Sequence, residues 1–132
     1  GYPSFRQMRE CGATTLYENW KGGSHNHVMF GAADTWLYEW AAGLAQAEDS
    51  AGWKKIVLRP GAVKALTQAQ TSVETPLGVC ALQWKRENGM LMAEARIPAM
   101  ARATLLPPDG TSREIGPGAH RWAFPDTDEK ET

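Results

Sequence analysis

The spacing of hydrophobic residues changes near residue 50, from a helical repeat before it to an alternating repeat after it. Upstream, apolar residues recur every three or four positions, which is typical of amphipathic helices. Ser4 is placed to cap a short helix that ends at Gly12, and a second helix is predicted from about Asn26 to about Gln46. The apolar stripe of the second helix is wider than one face, so we expect more than one partner to cover it.

Downstream, apolar residues alternate with polar ones, which predicts β-strands. The predicted strands are Lys54–Arg59, Ala65–Val73, Gly78–Lys85, Met90–Ile97, Arg102–Leu106 and Ala119–Phe124. Asn88-Gly89 separates two of them, and this dipeptide is the strongest short signal for a β-hairpin. Six short strands with turn residues between them indicate a small antiparallel β-sandwich.

The two patterns together predict an α+β protein. We expect helices in residues 1–50, a β-sandwich in residues 51–125 and a disordered tail in residues 126–132. The tail has four acidic residues, one lysine and no apolar side chain, so it has nothing to bury. Because the chain starts at Gly1 and lacks the pattern of a signal peptide, we expect it to be a piece of a longer or processed polypeptide.

Composition and charge exclude several classes of protein. The 132 residues include 14 basic and 15 acidic side chains, so no overall field attracts DNA or an anionic membrane. No apolar stretch is long enough to span a bilayer. Two cysteines are too few for a disulfide scaffold or a cysteine-only zinc site. We therefore expect neither nucleic acid nor membrane as a partner, while the cellular compartment stays open.

The densest cluster of polar and aromatic side chains surrounds Glu18, which lies between Tyr17 and Trp20. Aromatic neighbours would raise the pKa of this carboxyl by desolvation, and their rings suit the C–H faces of a sugar. The alternative is structural, because Glu18 could also cap a loop or form an ion pair with Arg6 or Lys21. Spacing by itself leaves both interpretations open.

The spacing His25-x-His27 also occurs in metal sites. No third ligand follows at a characteristic spacing. Helix capping by Ser24 or Asn26, with one hydrogen-bonded histidine, is therefore the favoured interpretation, and we expect no metal or other cofactor. Trp36 and Trp40 are four residues apart, a spacing that favours a core position over a ligand platform.

Two motifs resemble the late part of glycoside hydrolase family 78, the inverting α-L-rhamnosidases. The first is Gly-Ala-Thr-Thr-x-x-Glu-x-Trp at residues 12–20, and the second is Ser-x-Asn-His-x-x-x-Gly at residues 24–31. The similarity continues through Trp36-Leu37-Tyr38 and Gly52-Trp53-Lys54 and then weakens in the predicted sandwich. It covers residues 2–124, nearly the whole chain.

This resemblance implies that residues 1–50 are the last helices of an (α/α)6 barrel, followed by a C-terminal β-sandwich. It implies that Glu18 is the general base that activates water and that His27 contacts the bound rhamnose. Trp20 is assigned to the pocket wall because it lies next to Glu18. Inverting hydrolysis needs a second carboxyl as general acid, and in this family that acid lies upstream of the matched region. We therefore expect a C-terminal fragment of an α-L-rhamnosidase that is inactive by itself.

The partners expected from this assignment are a rhamnosylated glycan or glycoside and the upstream catalytic barrel. A second hypothesis is a non-catalytic carbohydrate-binding or interaction module, in which the sandwich carries the function. A third is self-association into a homo-oligomer through the uncovered side of the helix that carries Phe30, Trp36 and Trp40.

Overall fold

The computed structural model of the chain describes residues 5–12, 14 and 32–126. The chain divides into two compact units, Gly1–Trp36 and Leu37–Thr132. Most of the described residues belong to the second unit, which contains all eight described strands. No described helix is long and apolar enough to cross a membrane.

The described residues of the first unit form two short helices, α1 (Phe5–Glu10) and α2 (Ala32–Trp36). The predicted first helix is confirmed, and the amide of Gly12 donates a hydrogen bond to the carbonyl of Arg9 at 3.0 Å as the helix ends. Its proposed cap, Ser4, lies outside the described residues. An exposed ion pair joins Arg6 to Glu10 at 2.8 Å, one helical turn apart.

The second predicted helix ends earlier than its hydrophobic pattern indicates. A π-helix, Leu37–Ala42, follows α2 along the chain, and the prediction of helix as far as Gln46 is wrong. The cause is Gly43, whose φ of 91° is accessible to glycine at little cost. Its amide closes the π-helix on the carbonyl of Tyr38 at 2.9 Å, and its carbonyl accepts from the amide of Arg59 at 2.7 Å. Any Cβ at this position would collide with the Arg59 carbonyl.

The second unit is built from two four-stranded sheets. The strands are β1 (Leu44–Gln46), β2 (Lys55–Leu58), β3 (Gln68–Thr75), β4 (Gly78–Glu87), β5 (Met90–Ile97), β6 (Arg102–Leu105), β7 (Arg113–Ile115) and β8 (Gly118–Pro125). The first sheet has the order β1-β2-β6-β7 and the second has the order β3-β4-β5-β8. The α+β class is confirmed.

All six predicted strands are present, but the pairing differs from a purely antiparallel sandwich. Strands β2 and β6 are parallel, with Ile56 opposite Ala103. Every other described pair is antiparallel. The pattern also missed β1 and β7, because a three-residue strand is too short to show an alternating repeat.

The two sheets share one hydrophobic core. Strand β5 alternates as predicted, and Leu91, Ala93, Ala95 and Ile97 are buried. The other fully buried side chains of the core include Leu44, Ile56, Leu58, Cys80, Leu82 and Leu105. Both sheets contribute to this set, which identifies their facing surfaces as the inner layer of a sandwich.

The predicted hairpin joins β4 to β5. Asn88 and Gly89 have φ values of 52° and 72°, the combination that a type I′ turn requires. Glu87 therefore pairs with Met90, and the two strands continue in register as far as Ala81 opposite Arg96.

Asp126, the last described residue, is tied to the sandwich by two contacts. Its carboxylate accepts a hydrogen bond from Arg86 at 2.7 Å, and its amide donates to the Gly89 carbonyl at 2.9 Å. Residues 127–132 lie outside the described residues.

Candidate functional site

The three site residues predicted from the motifs, Glu18, Trp20 and His27, lie outside the described residues, and their roles stay predictions. The same holds for His25 and Phe30. In the parts of the chain that the structure does describe, no group of three or more His, Cys, Asp or Glu side chains could hold a metal ion.

The tryptophan pair of the second helix is not in the core. Trp36 is 50% exposed and Trp40 is 45% exposed, so the prediction of core positions for both is wrong. The guanidinium of Arg59 lies over the Trp40 ring, 4.8 Å from its centroid, which is a cation–π contact. Tyr38, also on the π-helix, is 45% exposed.

The outer surface of the second sheet carries a cluster of polar side chains. Outward-facing residues alternate with buried or half-buried ones along the strands. The register places Gln70, Gln83, Glu94 and Arg121 in one row across all four strands. The next row contains Ser72, Ala81, Arg96 and Ala119. Because two members of the second row are alanines, the surface sinks there between the longer side chains.

This depression encloses about 860 Å³. It is lined by polar side chains from both rows and by Tyr38 at its margin; the lining includes Gln70, Gln83, Glu94, Arg96 and Arg121. Amide and charged groups beside the rings of Tyr38 and His120 are suited to a hydroxylated ligand.

The polar network in the depression is already paired around one carboxylate. Glu94 accepts a hydrogen bond from Nε2 of Gln83 at 2.7 Å with one oxygen, and its other oxygen lies 2.7 Å from Nη2 of Arg121. Arg96 makes no ion pair or hydrogen bond with another side chain in the described part of the chain. The depression therefore holds one unbalanced positive charge.

Sequence reasoning missed this surface, although a signal for it was present. A two-residue turn at Asn88-Gly89 fixes the register of the hairpin, so Gln83 must lie opposite Glu94. The pattern does not show that β3 pairs with β4 and that β8 pairs with β5. The pairing of β8 with β5 in particular depends on contacts between residues that are distant in sequence.

The two cysteines have opposite environments. Cys80 is buried between the sheets, and desolvation raises the pKa of its thiol to about 11, whereas Cys11 is exposed. A buried thiol with a raised pKa forms little of the thiolate that reacts with electrophiles.

Ellman's reagent at pH 8 is expected to label one thiol of the native chain rapidly, that of Cys11, and to label both after unfolding in guanidinium. At this pH Cys80 has about a hundredfold less thiolate than a thiol with an ordinary pKa. The reagent can also reach its sulfur only when the sandwich opens, because the side chain is buried. Cys11→Ser should remove the rapid phase, and Cys80→Ala should leave it intact. Two rapid phases in the native protein would contradict the buried position of Cys80.

Comparison with protein families gives two adjacent matches. Residues 43–121 match the bacterial alpha-L-rhamnosidase C-terminal domain, and residues 1–41 match the bacterial alpha-L-rhamnosidase 6 hairpin glycosidase domain. The first match covers more than half of the chain.

Individual relatives agree with these matches. The alpha-L-rhamnosidase of Formosa agariphila is 32% identical over 126 residues, covering 86% of this chain and 13% of the relative. The solved structure of the Aspergillus terreus enzyme superimposes with a TM-score of 0.75 at 30% identity, covering 94% of this chain and 16% of that one. The Dictyoglumus thermophilum enzyme gives a TM-score of 0.78 at 26% identity, covering 95% and 18%.

The chain thus spans less than a fifth of the length of each of these relatives. The resemblance seen in the two sequence motifs is confirmed by the family matches. Both described sheets fall in the region that matches the C-terminal domain, apart from the last four residues of β8. On this evidence the chain belongs to the bacterial alpha-L-rhamnosidase C-terminal domain family.

Proposed function

We propose that this chain is the C-terminal part of an inverting α-L-rhamnosidase that removes terminal α-L-rhamnose from glycans or glycosides. The observation that carries the proposal is the pair of family matches, which divide the chain between a 6-hairpin glycosidase domain and its C-terminal domain. The helical residues then complete a catalytic (α/α)6 barrel, and the sandwich is the domain appended to it. Strand β1 favours a boundary just after Ala42, somewhat before residue 50.

In this proposal Glu18 is the general base. An inverting glycosidase uses two carboxyl groups roughly 6.5–9.5 Å apart, one protonating the leaving oxygen while the other takes a proton from the attacking water. Glu18 takes the proton, His27 binds a sugar hydroxyl, and Trp20 forms part of the pocket wall. The general acid belongs to the upstream part of the barrel, which is the partner this chain requires.

The 132-residue chain is expected to hydrolyse an aryl α-L-rhamnoside no faster than buffer does. It has one half of a two-carboxylate mechanism, and a general base by itself contributes only about 10²–10⁴-fold when the rest of the site is in place. The measurement is release of the aryl chromophore by the purified chain at high concentration. Hydrolysis that disappears in Glu18→Gln would show that the chain contains a complete site and would overturn this part of the proposal.

A chimera tests whether the chain can supply its share of an active site. The matched segment of the Formosa agariphila enzyme, 32% identical to this chain, is replaced by residues 1–132. The chimera should hydrolyse the aryl rhamnoside, whereas the truncated enzyme without the segment should not. A chimera that folds, as judged by its circular dichroism and a cooperative thermal transition, yet remains inactive would refute the assignment.

One observation favours the second candidate, a carbohydrate-binding module. The sandwich carries a polar depression, which Tyr38, Gln83 and Arg96 line together with other described residues. Binding of a saccharide to this chain without the barrel would distinguish the module from a domain that acts only through the assembled active site.

A further inference from the structure

We propose that the outer surface of the second sheet is a binding groove for an acidic saccharide, and that Arg96 binds the carboxylate of a uronic acid residue there. This proposal goes beyond hydrolysis of a rhamnoside, because it assigns a separate binding site to the sandwich. It is carried by the shape of the surface, by its uncompensated charge and by the kinds of side chain that line it.

The depression is the centre of a longer groove. It shares Gln83 and Glu94 with a neighbouring depression of about 630 Å³ that extends toward Lys85 and Met92. In the opposite direction it shares Arg96 with a recess of about 430 Å³. That recess is lined mainly by apolar residues, among them Val79 and Pro98.

The groove follows the direction of the strands. From Lys85 to Val79 on β4 it is about 20 Å long, at about 3.3 Å per residue. A length of this order accommodates several linked sugar residues and is more than one small molecule needs. The ligand that fits this shape is an oligosaccharide lying along the sheet.

The positive charge of Arg96 favours an oligosaccharide that carries a carboxylate. Each oxygen of Glu94 has a partner, Gln83 for one and Arg121 for the other, and no ion pair joins this carboxylate to Arg96 among the described residues. The cross-strand neighbours of Arg96 are Ala81 and Ala119, which leave space above the sheet on both sides of its side chain. A guanidinium in this position can bind a planar carboxylate through two parallel hydrogen bonds.

The remaining lining suits the neutral part of a sugar. Gln83 uses Nε2 on Glu94, so its Oε1 can accept a hydrogen bond from a hydroxyl group. Gln70 makes no hydrogen bond with another side chain of the described residues, and its amide offers both a donor and an acceptor. Tyr38 provides an exposed ring at the margin for the C–H face of a pyranose.

A nucleic acid fits this groove less well. A protein binds a phosphate backbone by neutralising many phosphates with basic side chains. Two of the basic side chains in the groove already have acidic partners: Arg121 is paired with Glu94, and Nζ of Lys85 lies 3.5 Å from Oε2 of Glu87. A single uncompensated arginine matches an isolated carboxylate better than a run of phosphates.

The experiment compares two saccharides that differ only in charge. The purified chain is titrated with a galacturonate trisaccharide and with its carboxyl-reduced, neutral counterpart, and binding is followed by calorimetry and by amide chemical shifts. The acidic sugar is expected to bind about tenfold more tightly or better. Its binding should weaken as ionic strength rises, and the shifts should map to β4 and β5 while β2 and β6 stay unchanged.

Variants assign the effect to Arg96. Arg96→Met should abolish the preference for the acidic sugar, and Arg96→Lys should retain only part of it because an ammonium group lacks the planar fork. Arg102→Met removes an exposed arginine of the other sheet and should change nothing. Amide spectra of each variant establish that it is folded.

Three results would overturn the proposal. They are no binding of the acidic trisaccharide, equal binding of the two sugars, and a preference that survives Arg96→Met in a folded variant. Because binding is measured without turnover, an inactive chimera in the hydrolysis experiment would refute the proposed catalytic role while leaving this site to be judged by its own titration.

Discussion

Glu18→Gln in the chimeric rhamnosidase is expected to lower kcat by about 10²–10⁴-fold, the range that general base catalysis contributes. Glutamine has nearly the same shape as glutamate but cannot accept a proton at neutral pH. Water would then have to attack without a base, while contacts with the sugar remain. KM should therefore change little, and the loss should appear almost entirely in kcat.

The control is Glu48→Gln, which removes an exposed carboxylate outside both sequence motifs. It should leave kcat unchanged, and both variants should retain the thermal transition of the parent chimera. If Glu18→Gln were as active as the parent, Glu18 would not be the base. A large increase in KM with unchanged kcat would point to a role in substrate binding instead.

Arg86→Met is expected to destabilise the sandwich by up to about 3–5 kcal/mol, the cost of leaving one partner behind when an ion pair is fully buried. The Arg86 and Asp126 side chains are each 13% exposed, and Nε of Arg86 donates to Asp126 at 2.7 Å. The same guanidinium donates to the carbonyls of Gly61 at 2.6 Å and Leu66 at 2.5 Å, and to that of Val63 at 3.2 Å. Methionine would leave one carboxylate and three carbonyl groups without these donors.

The measurement is the free energy of unfolding from urea titration. Arg86→Lys should recover only a fraction of the loss, because one ammonium group cannot reach four acceptors that surround a planar fork. Lys55→Met is the matched control, because it breaks an ion pair of similar length that is exposed, with Nζ of Lys55 2.6 Å from Oδ2 of Asp49. The urea midpoint of this variant should stay close to that of the parent. Equal effects of Arg86→Met and Lys55→Met would contradict a structural role for the guanidinium cluster.

The Arg86 cluster also shows where sequence reasoning stops. Alternation along β4 puts Cys80, Leu82 and Trp84 on one face, and all three are buried in the structure. It also places an arginine next in that series, and nothing in the pattern indicates that three loop carbonyls and Asp126 surround its side chain. Those acceptors come from residues 20 to 40 positions away, so only the folded chain brings them together.

Strand β1 is a second feature that the sequence pattern could not predict. The pattern extended the helix through Leu44 because that residue continues the apolar stripe. In the structure Leu44 is fully buried within β1, opposite Leu58. Its environment is set by Gly43, whose positive φ ends the π-helix, and by pairing with β2. A hydrophobic residue such as Leu44 is compatible with a helix and with a strand, and its tertiary contacts determine which of the two forms.

The amino-acid sequence by itself determined the family, the type of each long element and the register of the central hairpin. These properties reside in contiguous residues, namely two motifs, a two-residue turn and alternation over eight or more positions. Tertiary structure decided the parallel pairing of β2 with β6, the guanidinium cluster around Arg86 and the groove that Arg96 lines. Each of these joins residues that are far apart in the chain, and their energies depend on distances and desolvation that exist only after the two sheets have packed.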